Sequence, residues 1–456
     1  MTAAQRFARF ACTVDLGTAP PAVREAVGLH LLDVLGCGLA AVGTGAARYA
    51  RGHGTGEHGR ATALGVPHPV PAATAALING IACHALDFDD THPASIAHVS
   101  AVVAPAALAA AQRAGANGAA LEAALLAGNE ITTRVGRVVG DAFHLRGLHP
   151  TAICGVFGAT AAVARLTDLG ERRTAHALGI AGSMASGLMA YLSDGSDTKR
   201  VHPGWMAHAA HVAVDLAAHG ATGPAGVIEG RYGVYHALLG RGDVTAADVA
   251  GDLGSHWETL AIAFKPYPAC HFVHAPLDAL AALRTEHGFE ADAVERITVM
   301  LPQAGIELVG DPIERKRRPE TPYESKFSAP FALAALLHAG SVDATTFGAP
   351  LLTHPRVLAL ADRVDCEAHE YDTFPAALPG GVRVALHDGT RLERHLRHQR
   401  GGAEHTMLAA EVVAKYRGNA ATALDTQNAQ RLEDAVLDLP AQSALDGFAV
   451  LGAAVG

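Results

Sequence analysis

Small residues recur at helical spacing through the first 265 positions, as in Gly155, Gly158, Ala159 and Ala162. That spacing limits what the chain can fold into more than any other feature. Residues three and four apart share one face of a helix. A face that carries nothing larger than a methyl group lets a neighbouring helix axis come close. Half of the residues are hydrophobic but only 5% are aromatic, which favours packed helices over a β-sandwich. With 456 residues, the length corresponds to about three domains' worth of chain. A total of 35 Lys and Arg against 45 Asp and Glu leaves a formal net charge of −10. A nucleic-acid or anionic-membrane binder needs a basic face instead. The longest apolar stretches, around residues 99–111 and 152–164, contain Ser, Pro or Gly and fall short of the ~18 residues that a membrane helix needs. The start, MTAAQRFARFACTVDLG, lacks a signal-peptide core. The cysteines at 12, 37, 83, 154, 270 and 366 form no CxxC pair, so a reduced cytoplasmic setting is expected.

Helices are predicted to open at Pro20-Pro21 and over residues 72–84, 105–114, 119–139, 152–166, 171–188, 204–219 and 246–253. The texture changes near Lys265. Residues 296–301 alternate like a strand, and the runs 382–386 and 391–396 flank His387-Asp388-Gly389-Thr390. An Asp-Gly between alternating runs is a strong hairpin signal. Helices are expected over 275–287 and 327–338 between these strands, and the tail returns to helix over 407–416, 427–438 and 443–451. The fold class is therefore mainly α. A large all-helical domain, residues 1–265 plus 401–456, carries an inserted smaller α+β domain, residues 266–400.

Among 26 histidines, a group capable of acid–base or metal chemistry near neutral pH, one cluster is outstanding. His84-Ala-Leu-Asp87-Phe-Asp89-Asp90-Thr91-His92-Pro93, followed by His98, holds three acids and three histidines. It reads as an acid–base and substrate-binding loop, a metal site, or a capped turn. No HExxH or EF-hand spacing accompanies it. Three further clusters follow. His149-Pro150-Thr151 precedes a tight Gly/Ala helix, where orphan N–H groups favour an anion. Lys199-Arg200-Val-His202-Pro203-Gly204 offers carboxylate binders in a polar loop that opens onto a helix. Lys265-Pro-Tyr-Pro-Ala-Cys270-His271 lies at the proposed domain boundary. Each also has a plain structural reading as a solvated loop or a packed residue.

Taken in order, these segments resemble the MmgE/PrpD family. The resemblance rests on His84-Ala-Leu-Asp-Phe-Asp-Asp-Thr91, His149-Pro-Thr with Gly155-Val-Phe-Gly-Ala-Thr, Asp197-Thr-Lys199-Arg-Val-His-Pro-Gly, Lys265-Pro-Tyr-Pro-Ala-Cys270 and Ser325-Lys326-Phe-Ser328. It implies a helical domain with a smaller α+β lid domain inserted, a homodimer, and a cofactor-free and metal-free enzyme acting on a small polycarboxylate. By resemblance, His98, His149, Asp87 and Lys199 are catalytic, with Asp87 orienting a histidine. Thr91, His202, Lys265, Cys270, His271 and Tyr323 are substrate-binding. At 270 the decarboxylase branch of the family has a histidine, whereas epimerase-type members have cysteine. The reaction expected from this resemblance is dehydration of a hydroxy-polycarboxylate of the 2-methylcitrate type. The alternatives are epimerisation of an imino- or amino-dicarboxylate and decarboxylation of the cis-aconitate kind.

Overall fold

A computed structural model describes every residue except 55, 375 and 376. The chain divides into two compact units. The first comprises Met1–Ala85, Asp89–Phe264 and Leu408–Gly456, and the second comprises Leu86–Phe88 and Lys265–Met407.

The first unit is a helical assembly around the helix Pro150–Leu166, which is buried everywhere except at Arg165. The helices Ser100–Ala114, Gly118–Arg137, Glu171–Gly182 and Thr198–Ala218 pack against it. The small-residue faces bring these axes together. A Cβ placed on Gly158 would stand 2.0 Å from Thr132 Oγ1 and 2.3 Å from the Gly128 carbonyl oxygen. The helices Ala72–His84 and Thr198–Ala218 meet as closely, since a Cβ on Gly204 would stand 2.2 Å from the Leu77 carbonyl oxygen.

One helix overturns the expectation that no apolar stretch is long enough to span a membrane. Pro21–Gly43 runs for 23 residues and passes that test of length and composition. It is a core helix here, with 83% of its most apolar window buried inside the fold. It packs against Ala72–His84 and against Ala409–Ala420 from the tail. Asp33 in its middle pairs with Lys415 at 2.7 Å. Asp33 is fully buried and Lys415 nearly so.

Two further helix expectations are corrected. The helix expected over 171–188 ends at Gly182. A turn at residues 183–184 follows, and Gly187 then has a φ of +132° that a side chain would strain. The helix expected to begin at Gly204 begins six residues earlier, at Thr198, and keeps Pro203 inside it. This puts Lys199 and His202 on a helix rather than in a loop.

The second unit is built on a four-stranded sheet of order β2-β1-β3-β4. Strand β1 (Val294–Leu301) is parallel to β2 (Val364–Ala368) and antiparallel to β3 (Gly380–Leu386), which pairs with β4 (Arg391–Leu396). The β3–β4 turn is the expected Asp-Gly turn, with Gly389 at φ +91° and the Asp388 carboxylate accepting from the Thr390 N–H at 2.8 Å. The helices His274–His287 and Ala329–Ala339 cover the sheet. Leu277, Leu280, Leu333, Val299 and Val384 share their core.

Candidate active site

The first unit gathers histidines from four separate segments. His84 is the last residue of the helix Ala72–His84. The chain then turns sharply through Asp89 and Asp90. Asp90 ties down the next helix, accepting from the Ser100 N–H at 3.0 Å and from the Ser100 hydroxyl at 2.5 Å. His30 Nδ1 lies 2.9 Å from the same carboxylate. Between the two runs a tight loop returns His98. In it Ile96 has a φ of +53°, a genuine outlier for a β-branched residue. Such backbone persists only where the surroundings hold it. Here the His92 N–H donates to the Ala97 carbonyl at 2.8 Å, and the His98 N–H donates to Thr151 Oγ1 at 3.0 Å. Thr151 belongs to the Pro150–Leu166 helix, and His149 is the residue that precedes its first turn.

Asp89 sits at the centre of this arrangement, fully buried. Its Oδ2 lies 2.8 Å from His84 Nδ1 and 3.1 Å from His98 Nδ1. One carboxylate oxygen thus fixes two imidazoles. Burial alone would raise the Asp89 carboxyl, but the two histidines pull it well below the usual carboxylate range. Burial pushes His84 down to about 4 against the pull of Asp89, with His98 and Lys199 adding to the fall. His84 is therefore a neutral imidazole at pH 7, donating Nδ1–H to an ionised carboxylate. Asp87, expected to orient a histidine, pairs with Lys265 within the second unit. Its Oδ2 is 3.2 Å from Lys265 Nζ, and the same ammonium donates to the Asp87 carbonyl at 3.0 Å.

His149 and His202 form a second pair, Nδ1 to Nδ1 at 3.1 Å. The chain after Glu171–Gly182 makes this possible. The His149 N–H donates to the Gly187 carbonyl at 2.9 Å, and Met189 N–H donates to Gly147 at 2.8 Å. A Cβ on Gly187 would crowd His202 Nδ1 at 3.3 Å. The His84 and His149 rings are 5.6 Å apart, and those of His84 and His98 are 4.5 Å apart, so the two pairs are neighbours. Tyr191 stands 6.0 Å from His149 and 6.1 Å from His202, ring to ring. Burial first, then His84, Lys199, His202 and His98, hold His149 well below its ordinary value. Burial and then Lys199 push His202 down to about 4. Lys199 is buried and acts electrostatically on three of these histidines. Thr91 adds a hydroxyl 3.5 Å from His98 Nδ1 and joins the site wall by two backbone bonds to Ala263, of 2.9 and 2.8 Å.

Of the expected site residues, the structure therefore brings together His98, His149, His202, Thr91 and Lys199. Cys270, His271 and Tyr323 belong to the second unit with Lys265 and Asp87. There the Cys270 N–H donates to the Lys326 carbonyl at 2.9 Å, the His271 ring meets His274 at 4.7 Å, and the buried Tyr323 packs on Phe327 at 5.2 Å. His84, Asp89 and Tyr191 were not among the expected site residues. The signal for the first two was their separation of five residues across a helix end, which turns both side chains back onto one point. Among the described residues, His84, Asp89 and His98 are the group whose ligand atoms all lie within 4.8 Å of one another, close enough to hold a metal. Both Nδ1 atoms are directed at Asp89 Oδ2, which is how a carboxylate orients two imidazoles.

Buried neutral imidazoles beside an ammonium can exchange protons with a bound anion near neutral pH. Comparison with known proteins gives this geometry a context. Residues 5–247 match the model of the MmgE/PrpD N-terminal domain, and residues 267–440 match that of the MmgE/PrpD C-terminal domain. The cis-aconitate decarboxylase-like protein oryM of Aspergillus oryzae is 29% identical over 385 residues, covering 80% of this chain and 79% of the relative. Cis-aconitate decarboxylase of Aspergillus terreus is 27% identical over 401 residues, covering 84% and 81%. The enzyme of that name from Mus musculus is 28% identical over 418 residues, covering 86% and 82%. These relatives are lyases by name, and the chain belongs to the MmgE/PrpD family.

Proposed function

We propose that this protein is a cofactor-independent lyase acting on a small polycarboxylate, with His98 and His149 as the proton-transferring groups and Lys199 as a carboxylate binder. The observation that carries this reading is the pair of oriented histidine couples beside Lys199 in the first unit. A positioned acid or base contributes roughly 10²–10⁴-fold in rate. In an elimination, one imidazole takes the proton from the carbon next to a carboxylate. A protonated imidazole delivers a proton to the departing hydroxyl, which leaves as water. In a decarboxylation, the electron pair left on carbon by departing carbon dioxide is protonated by the same acid. Both routes build negative charge next to a carboxylate, and a buried ammonium stabilises it.

The relatives' names make cis-aconitate the first substrate to try. Dehydration of a 2-methylcitrate-type hydroxy acid is the second reading. Cys270 stands where the decarboxylase branch of the resemblance has histidine and epimerase-type members have cysteine, so it counts against decarboxylation and supports epimerisation of an imino- or amino-dicarboxylate as a third reading. We propose a cytoplasmic homodimer as the working form. Cis-aconitate, 2-methylcitrate, citrate and iminodisuccinate are offered in deuterium oxide and followed by proton NMR. Decarboxylation releases carbon dioxide, elimination creates an alkene signal, and epimerisation exchanges an α-proton without one. His149→Ala and Lys199→Ala are each expected to lose activity roughly 10²-fold or more. Wild-type turnover in both variants, with helical circular dichroism retained, refutes the assignment.

A further inference from the structure

We infer that His202 is a positioning residue that fixes the tautomer of His149, rather than a substrate ligand. The inference rests on the lyase reading for the role of His149 and on geometry for everything else. The two rings face each other through Nδ1 and Nδ1 at 3.1 Å, so a single proton lies between them. A neutral imidazole carries one N–H and one lone pair, which forces opposite tautomers on the pair. A base working through Nε2 must keep its proton on Nδ1. His149 therefore donates Nδ1–H to the lone pair on His202 Nδ1, and His202 carries its own proton on Nε2. When His149 Nε2 takes a substrate proton, the ring becomes an imidazolium. Its Nδ1–H then makes a charge-assisted bond to His202, stronger than the neutral one. The pair thus favours the protonated state after transfer without supplying or consuming a proton itself.

Other observations fit the same assignment. The groups acting most strongly on His149 are His84, Lys199, His202 and His98, with the Tyr191 ring alongside, and among the described residues no carboxylate pairs with its ring. His149 therefore lacks the Asp partner that His98 has in Asp89, and His202 takes that place as a neutral acceptor. Both rings are held in their neutral forms by burial and by Lys199. Gly187 leaves room for the contact, since any larger residue would press on His202 Nδ1.

The test is nitrogen-15 NMR of the full chain labelled at histidine, with the His149 signals assigned by comparison with His149→Gln. The wild type is expected to show His149 protonated at Nδ1 and bare at Nε2. In His202→Leu, which removes the acceptor, His149 shifts toward the Nε2–H form. In His202→Asn, whose side-chain oxygen accepts at the same place, the Nδ1–H form is kept. With cis-aconitate as the probe, kcat is expected to fall roughly 10- to 100-fold in His202→Leu with KM unchanged, and to recover in His202→Asn. A His149 bearing its proton on Nε2 in the wild type, or unchanged by His202→Leu, overturns the inference. So does a His202→Leu variant that raises KM alone, as loss of a substrate ligand would. The NMR readout needs no substrate, so failure of the pairing and failure of the lyase reading are separable.

Discussion

Replacing Asp89 by Asn tests the central arrangement most directly. The substitution keeps the size of the side chain but removes the charge that two imidazoles share through one oxygen. An amide oxygen at that point accepts more weakly than a carboxylate, and the flipped amide turns its NH₂ toward both Nδ1–H groups. A hydrogen bond to a charged group contributes about 1.5–3 kcal/mol. Loss of one oriented bond in the transition state therefore costs about 2 kcal/mol, and loss of both about 4 kcal/mol. With about 1.4 kcal/mol per tenfold, kcat is expected to fall between roughly 30- and 1,000-fold. The assay is initial-rate turnover of the acid that the NMR screen identifies, with urea unfolding at pH 7 to verify the fold. Because the Asp89 carboxyl is held well below its ordinary value in the folded protein, its stabilising contribution is present above pH 4 and is lost as the pH falls further. Asp89→Asn is expected to flatten that part of the acid unfolding curve. A folded variant that turns over within twofold of wild type would show that the two histidines need no carboxylate, and the reasoning fails.

Three other outcomes follow from the structure. Gly204→Ala drives a methyl group into the Leu77 carbonyl, where the free distance is 2.2 Å, and is expected to lower stability by about 1–3 kcal/mol in urea melts. Lys415→Met leaves Asp33 buried without its counter-charge and costs about 3–5 kcal/mol, whereas Asp33→Leu with Lys415→Met recovers most of it. His84 and His202 sit near 4 in the fold against about 6.5 when unfolded. Their contribution is complete above pH 6.5 and is lost as the pH falls toward 4, because the unfolded chain binds more protons there. The urea midpoint is expected to drop across that window, and less steeply in His202→Leu.

Much of the architecture was legible in the residues because it rests on local rules. The spacing of small residues marked the Pro150–Leu166 helix, and Asp388-Gly389 marked the β3–β4 turn. Strand β2 was missed, since Val-Asp-Cys-Glu-Ala has only one fully buried residue and draws its order from pairing with β1. Pro203 read as a helix start, yet it is accommodated in the second turn of a helix that begins at Thr198. The site was legible as a set of segments but not as a set of pairs. Asp87 and Asp89 are two residues apart and look alike in sequence. A φ of +54° at Asp87 turns the backbone between them. One carboxylate then meets Lys265 and the other meets His84 and His98. Only the folded backbone separates those roles.

The bond between Asp33 and Lys415 also has a consequence for synthesis on the ribosome. The helix Pro21–Gly43 emerges early, yet Tyr416, whose ring would stand 3.1 Å from a Cβ on Gly36, and Lys415, which neutralises Asp33, are made about 380 residues later. At roughly 5–20 residues per second, this long apolar helix waits tens of seconds for the tail helix that packs on it. Burial then raises the Asp33 carboxyl to about 6 even with Lys415 in place, so the nascent helix has little to gain by burying that acid before the tail arrives. The first unit is thus completed after translation of the second. For most of its synthesis the growing chain carries that helix without the tail helix that packs on it.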